Sequence, residues 1–123
     1  MISVIVADDE AAIRSALGLA LKQKLSIQNL SEAANMEELL ARACEGGAAL
    51  ALLDWELPGL AAAGGLATLR RQNPGLKVVA LSARPEARQM ALAAGADAFV
   101  SKTESPDTML RLIDELCLAP YRE

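Results

Sequence analysis

Polar and charged side chains follow several apolar runs of this sequence, at the point where each run ends. Asp8 and Asp9 follow "ISVIVA", and Asp54 follows "ALALL" within the stretch "LLDWELPG". Ser82 ends "KVVALS", and Lys102 comes directly after "DAFVS". Each residue alone has an ordinary explanation as a helix cap, a turn residue or a solvated base. Unrelated surface residues have no reason to follow apolar runs in the same way, so together they predict one common site.

Such a set of residues has the chemistry to bind a divalent cation and a phosphoryl group. Carboxylates brought into one cleft repel one another, and a hard cation with oxygen ligands relieves that repulsion. Mg²⁺ is the natural candidate, with Mn²⁺ as a substitute, because it takes one or two carboxylates together with phosphate oxygen. A carboxylate such as Asp54 can attack phosphorus and form an aspartyl phosphate. The cation, Lys102 and Ser82 would balance the negative charge of that phosphate.

The apolar runs themselves read as β-strands rich in Val, Ile, Leu or Ala, and they cover residues 2–7, 27–33, 49–53, 77–82 and 97–101. Between the runs, apolar residues recur at the three- and four-residue spacing of amphipathic helices. Asn35 followed by Glu38 has the spacing of a capping box, and Ser105 before Pro106 is typical of a helix start. The sequence therefore predicts strands that alternate with helices.

Strict alternation predicts one α/β domain over residues 1–123, with a parallel sheet and helices on both faces. The carboxyl ends of parallel strands lie at the same edge of the sheet, where ligands of such folds bind. The residues that follow the apolar runs should therefore meet at that edge.

Composition excludes several classes of function. A net charge of −4 without a basic stripe argues against direct binding of nucleic acid. No apolar run approaches the length of a membrane span, so we expect a soluble cytoplasmic protein without membrane contact. Cys44 and Cys117 are predicted to be buried free thiols, as in a reducing cytoplasm. Histidine is absent, which removes histidine metal sites, catalytic triads and an internal phosphohistidine.

The motifs "VADDE", "LLDWELPG", "LSA" and "FVSK", in this order, resemble the receiver domain of two-component response regulators. The resemblance covers essentially the whole chain and implies a flavodoxin-like (βα)5 fold with strand order 2-1-3-4-5. The segment "FVSKTESPDTMLRLI" is most similar to receivers of the LuxR/NarL type. Those receivers precede a C-terminal helix-turn-helix DNA-binding output domain, which would be absent from this chain.

The resemblance implies a role for each acidic residue. Asp54 would be the phosphoacceptor, which takes its phosphoryl group from a sensor histidine kinase or a phosphotransfer protein. Asp9 and Asp54 would ligate Mg²⁺ directly, Glu56 through its main-chain carbonyl and Asp8 through a water molecule. Such a domain is not a turnover enzyme, although it catalyses its own aspartyl phosphorylation and a slow autodephosphorylation.

The resemblance also implies roles for residues near the two last strands. Lys102 would pair with the phosphoryl group, and Ser82 would swing toward it on activation. Phe99 matches the family's aromatic switch, although ordinary core packing is the alternative. Many receivers have a cis-proline after the lysine, where this sequence has Thr103. A cis bond before a non-proline residue costs about 3 kcal/mol, and we predict a cis bond there nonetheless.

Two further expectations concern the rim of the site and the surface that would signal to an output domain. Glu56 and Arg84 could reach across the pocket mouth and shield the acyl phosphate from water, or they are solvated rim charges. Phosphorylation would change the surface of the fourth helix, fifth strand and fifth helix, within residues 84–118. We expect little exposed apolar bulk there, and a monomer or a phosphorylation-dependent homodimer.

Two other functions remain open at this stage. A phosphatase of the haloacid dehalogenase type also uses an aspartate nucleophile with Mg²⁺, but its signature places Asp-x-Asp after the first strand. In this sequence the candidate nucleophile follows the third strand. A pseudo-receiver, which binds partners without being phosphorylated, is the second alternative.

Overall fold

The computed structural model describes residues 2–61 and 64–115, in which strands and helices alternate. The strands are β1 (Ile2–Ala7), β2 (Ile27–Ala33), β3 (Ala48–Asp54), β4 (Lys77–Ser82) and β5 (Ala98–Ser101). The helices are α1 (Ala11–Lys24), α2 (Met36–Cys44), α3 (Gly65–Gln72), α4 (Ala87–Ala93) and α5 (Pro106–Ile113).

All strand pairs are parallel, and the strand order is β2-β1-β3-β4-β5. The predicted fold class, strand positions and strand order are therefore confirmed. The chain reverses direction across the sheet between β1 and β3, which is where ligands bind in open parallel sheets. Asp54 is the last residue of β3, next to that point.

The core consists of two aliphatic layers, one on each face of the sheet. Successive side chains of a strand point to opposite faces, so Ile5 joins one layer while Val4 and Val6 join the other. Helices α2, α3 and α4 cover the first layer, and α1 and α5 cover the second. Burial on both faces explains why β1, β3 and β4 are nearly continuous apolar runs.

Both predicted helix starts are confirmed. Asn35 Oδ1 accepts a hydrogen bond of 2.8 Å from the Glu38 amide, and Ser105 Oγ accepts one of 3.2 Å from the Thr108 amide. The Glu38 carboxylate accepts from the amide of Ala34, one residue before the cap. These bonds satisfy amide groups that a helix start otherwise leaves without partners.

Two predictions about single residues are wrong. Cys44 is a free thiol but is exposed, because the end of α2 turns this residue away from the sheet; Cys117 lies outside the described residues. No peptide bond within residues 2–61 and 64–115 is cis. The bond between Lys102 and Thr103 is therefore trans, the form that avoids the cost of a non-proline cis bond.

The surface of α4 also differs from expectation. Met90 is 58% exposed and Leu92 38% exposed, so this helix does present apolar bulk to solvent. Helix α4 buries only the small side chains of Ala87 and Ala91 against the sheet. In the part of the chain that the structure describes, no helix has the length and hydropathy needed to cross a membrane.

Candidate functional site

The carboxyl ends of β1, β3, β4 and β5 meet at one edge of the sheet. Main-chain hydrogen bonds fix the segments that leave these strands: the Trp55 amide donates to the Leu81 carbonyl (2.8 Å), and the Lys102 amide donates to the Ser82 carbonyl (3.0 Å). Leu81 lies opposite Asp54 in the β3–β4 register. The residues after the strands are thus held side by side, as the sequence predicts.

Three carboxylates form an acidic cluster at this edge. One carboxylate oxygen each from Asp8, Asp9 and Asp54 lies within 4.8 Å of the others. Asp8 and Asp54 are buried, with 1% and 3% exposure, whereas Asp9 is exposed. The cluster therefore opens to solvent on the side of Asp9.

Lys102 crosses from the β5 side to the acidic cluster. Its Nζ lies 2.6 Å from Asp8 Oδ2 and 3.2 Å from Asp54 Oδ1. Burial lowers the pKa of the Lys102 ammonium, but the hydrogen bond with Asp8 and the charge of Asp54 outweigh burial, and the net pKa is raised. Lys102 is therefore a fixed positive charge between two carboxylates.

The carboxylate of Asp54 uses one oxygen for its contacts with the protein. Oδ1 accepts a hydrogen bond of 3.0 Å from the Glu56 amide and also lies near Lys102. Burial raises the pKa of Asp54, the Glu56 amide and Lys102 oppose that rise, and the net pKa remains raised. The repulsion from Asp8 adds to the rise. A carboxylate held in this way gains from any further positive charge at the cluster.

The donor set fits Mg²⁺. Three carboxylates and one ammonium leave two negative charges when all are ionised. Oxygen donors of this kind suit hard cations, and Mg²⁺ is commonly held by one or two carboxylates plus water and phosphate. The carbonyl of Glu56, two residues after Asp54, belongs to the same turn. The residues predicted to hold the cation are therefore together at one edge.

Ser82, Glu56 and Arg84 form a second group at the mouth of the site. Ser82 Oγ donates to Glu56 Oε1 (2.9 Å) and accepts from the Arg84 amide (3.0 Å). The Arg84 guanidinium pairs with Glu56 Oε2 at 3.3 Å. Glu56 and Arg84 do reach each other across the mouth. No pattern in the sequence predicts, however, that Glu56 would also accept a hydrogen bond from the Ser82 hydroxyl.

Two aromatic side chains near the site in sequence pack against one aliphatic layer of the core. Phe99, 8% exposed, packs into the aliphatic layer covered by α4, and Trp55 is partly buried against the same layer. Packing thus accounts for the position of Phe99 in this state. Its role as a switch stays a prediction.

Arg14 contributes to the site and was missed by sequence reasoning. Its Nη1 donates to the main-chain carbonyl of Asp8 (2.7 Å), and its Nε donates to Glu32 Oε1 (2.9 Å). The only sequence signal is an arginine on the helix that follows the acidic pair. Glu32 lies on β2, far from Arg14 in sequence, so the contact depends on the fold.

Comparison with known proteins gives the family. The family described as "Response regulator receiver domain" matches residues 4–114. The transcriptional activator protein ExaE of Pseudomonas putida is 31% identical over 112 residues, which cover 89% of this chain and 52% of that protein. This chain therefore spans about half the length of the curated relatives that it matches.

Solved structures agree with this fold. The chemotaxis response regulator CheY4 of Vibrio cholerae has a TM-score of 0.82 at 23% identity, over 94% of this chain and 98% of that chain. A DNA-binding response regulator of the LuxR family from Staphylococcus aureus has a TM-score of 0.81 at 25% identity, with the same coverage of 94% and 98%. Together with the family match, the acidic edge and its lysine place this chain among the receiver domains of response regulators, the signalling switches of two-component systems.

Proposed function

We propose that this domain accepts a phosphoryl group on Asp54 from the phosphohistidine of a sensor kinase or phosphotransfer protein. The observation that carries the proposal is the cluster of Asp8, Asp9 and Asp54, with the ammonium of Lys102 paired to Asp8 and Asp54. The family match favours this function over a haloacid-dehalogenase-type phosphatase. A cytoplasmic location is part of the proposal, because the donor kinases deliver their phosphoryl groups there.

Asp54 Oδ2 is the proposed nucleophile. Oδ1 already accepts from the Glu56 amide and lies beside Lys102, whereas Oδ2 has no such partner among the described residues. In the transfer, a bond forms between Oδ2 and phosphorus while the bond from phosphorus to the donor imidazole nitrogen breaks. The released imidazole keeps the electron pair of that bond and takes up a proton from solvent.

The acidic side chains divide between metal binding and catalysis. Asp9, Asp54 and the Glu56 carbonyl would hold Mg²⁺ directly, and Asp8 would act through water. Mn²⁺ fits the same oxygen donors. Bound there, the cation supplies positive charge for the phosphoryl oxygens. Lys102 supplies a second positive charge from the β5 side, where its raised pKa keeps it protonated.

Activation requires Ser82 to change partner. Its hydroxyl donates to Glu56 Oε1, so it must leave this carboxylate before it can donate to a phosphoryl oxygen on Asp54. We propose that this movement, with a rotation of Phe99, shifts the population toward a second arrangement of α4, β5 and α5. The exposed Met90 and Leu92 on α4 would belong to the surface that changes.

The pair of Glu56 and Arg84 is proposed to set the lifetime of the phosphoryl group. The two side chains join at 3.3 Å across the pocket mouth, where an attacking water molecule would enter. Glu56→Asn and Arg84→Ala should therefore speed dephosphorylation several-fold, measured by loss of the phosphorylated mass with time. Rates equal to that of the wild type would contradict the shielding role.

The output is proposed by analogy with similar proteins. ExaE is named a transcriptional activator, and the S. aureus regulator is described as DNA-binding. A C-terminal helix-turn-helix output domain in a longer regulator would fit both, and phosphorylation would then control it directly or through a homodimer.

The test is incubation with Mg²⁺ and acetyl phosphate, followed by measurement of the intact mass. The wild type should gain one phosphoryl group, and Asp54→Asn should gain none. EDTA should abolish the gain in the wild type. No gain in the wild type, with either acetyl phosphate or phosphoramidate as donor, would favour the pseudo-receiver function instead.

A further inference from the structure

The main chain of Asp8 is tied to β2 on both sides. Its amide donates to the carbonyl of Ala33 (2.9 Å), and its carbonyl accepts from Arg14 Nη1 (2.7 Å). Arg14 is in turn paired with Glu32 at 2.9 Å, and Glu32 and Ala33 are neighbours at the end of β2. The segment that leaves β1 is therefore attached to the neighbouring strand twice, directly by the Asp8 amide and indirectly through Arg14.

The carbonyl that Arg14 binds is one of the groups that fix where Asp9 lies. A peptide unit is planar, so the direction of the Asp8 carbonyl fixes the direction of the bond that leads to the Asp9 Cα. Asp9 is the exposed member of the acidic cluster, and among the described residues its side chain has no hydrogen-bond partner that would place it. Its position must then come from the main chain on both sides of it. On the far side, the Glu10 amide donates to Asp8 Oδ1 (2.9 Å) and the Glu10 carbonyl accepts from the first turn of α1; on the near side, the Asp8 carbonyl is held by Arg14.

The geometry of Arg14 suits this task. Its side chain is only 18% exposed, whereas that of Glu32 is 50% exposed, so Arg14 is the more buried partner of this ion pair. The planar guanidinium forms both bonds at once, which a lysine ammonium on a flexible stem cannot reproduce with the same geometry. Glu32 orients the guanidinium, and the guanidinium holds the carbonyl.

We infer that Arg14, oriented by Glu32, is a positioning residue that presents the Asp8–Asp9 segment to the divalent cation. This inference rests on the proposed function, because it assigns a role in building the metal site. Arg14 does not touch the cation in this account. It acts through the main chain of Asp8, as groups behind metal ligands commonly do.

A purely structural ion pair is the alternative, and the chain offers a matched control. Arg70 also binds one main-chain carbonyl and one carboxylate: its Nη1 lies 3.0 Å from the Leu76 carbonyl and 2.7 Å from Asp97 Oδ2. Leu76 and Asp97 precede β4 and β5, at the opposite edge of the sheet from the acidic cluster. Loss of Arg70 should thus lower stability without affecting the metal site.

The experiment compares Mg²⁺ affinity in the wild type, Arg14→Met, Arg14→Lys and Arg70→Met, below the unfolding temperature of each protein. Trp55 is the only tryptophan and adjoins Asp54, so its fluorescence reports the titration. Removal of groups behind metal ligands commonly weakens affinity by 10- to 100-fold, and we expect about 10-fold for Arg14→Met. The Mg²⁺ affinity of Arg14→Lys should fall between those of the wild type and Arg14→Met. The affinity of Arg70→Met should match that of the wild type.

A second readout needs no metal. The amides of Asp8 and Glu10 are hydrogen-bonded to the Ala33 carbonyl and to Asp8 Oδ1, at 2.9 Å each. Their hydrogen exchange in the metal-free protein should be faster in Arg14→Met than in the wild type, and unchanged in Arg70→Met. Equal Mg²⁺ affinity in Arg14→Met and the wild type would overturn the role of Arg14 while leaving the proposed function intact. Equal losses of affinity in Arg14→Met and Arg70→Met would also overturn it, because the effect would then follow stability alone. A wild type that binds no Mg²⁺ would overturn the proposed function itself.

Discussion

Removal of the lysine charge from the acidic edge should destabilise the metal-free domain strongly. Lys102 is 17% exposed, and its Nζ lies 2.6 Å from Asp8 and 3.2 Å from Asp54. Lys102→Met keeps most of the aliphatic stem and removes only the charge. The two carboxylates, whose side chains are 2% and 4% exposed, then lose their shared counter-charge.

The size of the stability loss in Lys102→Met follows from the burial of Asp8 and Asp54. Removal of one member of a buried ion pair typically costs about 3–5 kcal/mol, because the other charge is left buried and unpaired. Since the cluster opens to solvent at Asp9, we take the lower end, about 3 kcal/mol. For a domain of this size, that loss corresponds to a fall in Tm of roughly 10 °C.

The variant should recover stability in two ways. Without Lys102, the already raised pKa of Asp54 rises further, so the folded state binds more protons than the unfolded chain above the ordinary pKa of 3.8. Stability of the variant should then increase as the pH falls from neutral into that window. Mg²⁺ should also restore stability, since it binds the folded state and replaces the missing charge.

Urea denaturation at neutral pH and at a lower pH still above 3.8, and at neutral pH with and without Mg²⁺, measures these effects. Lys24→Met is the control, because Lys24 pairs with Asp107 at 3.8 Å on an exposed surface, where ion pairs contribute little. A Lys102→Met variant as stable as Lys24→Met, or one that Mg²⁺ does not stabilise, would refute this account of the electrostatics.

Two further predictions concern the opposite edge of the sheet and the loop before α3. Burial raises the pKa of Asp97, but hydrogen bonds from Arg70 and the Val78 amide outweigh it, and the net pKa is lowered. The ionised Asp97 therefore stabilises the fold fully above pH 3.8, and this stabilisation is lost as the pH falls through its lowered pKa. Asp97→Asn should lower the free energy of unfolding by about 2 kcal/mol at pH 7. It should also make that free energy depend less on pH in the acid range. Gly65→Ala places a Cβ 2.7 Å from the Leu60 carbonyl oxygen and should cost about 1–3 kcal/mol in urea denaturation, so an unchanged midpoint would contradict that contact.

The sequence predicts the fold well because its signals are local and agree with one another. Strand and helix periodicity, the Asn35 and Ser105 caps and the alternation of elements all favour one parallel sheet. The convergence of Asp8, Asp54 and Lys102 then follows from topology alone, since parallel strands share their carboxyl edge. No side-chain detail is needed for that step.

Details that depend on contacts between distant segments could not be predicted in this way. The role of Arg14 depends on Glu32, which only the pairing of β1 with β2 brings near. The exposure of Cys44 depends on where α2 ends relative to the sheet. The bond from Ser82 to Glu56 depends on which partner a hydroxyl selects within a pocket, and spacing carries no information on that choice.

The most direct test of the central claim is to identify the residue that carries the acyl phosphate. After incubation with Mg²⁺ and acetyl phosphate, hydroxylamine attacks the acyl carbon, releases phosphate and leaves a hydroxamate on the phosphorylated side chain. Peptide mass spectrometry should find the hydroxamate on Asp54 and not on Asp8 or Asp9. A hydroxamate on another residue, or none on Asp54 in a protein that has gained a phosphoryl group, would contradict the account.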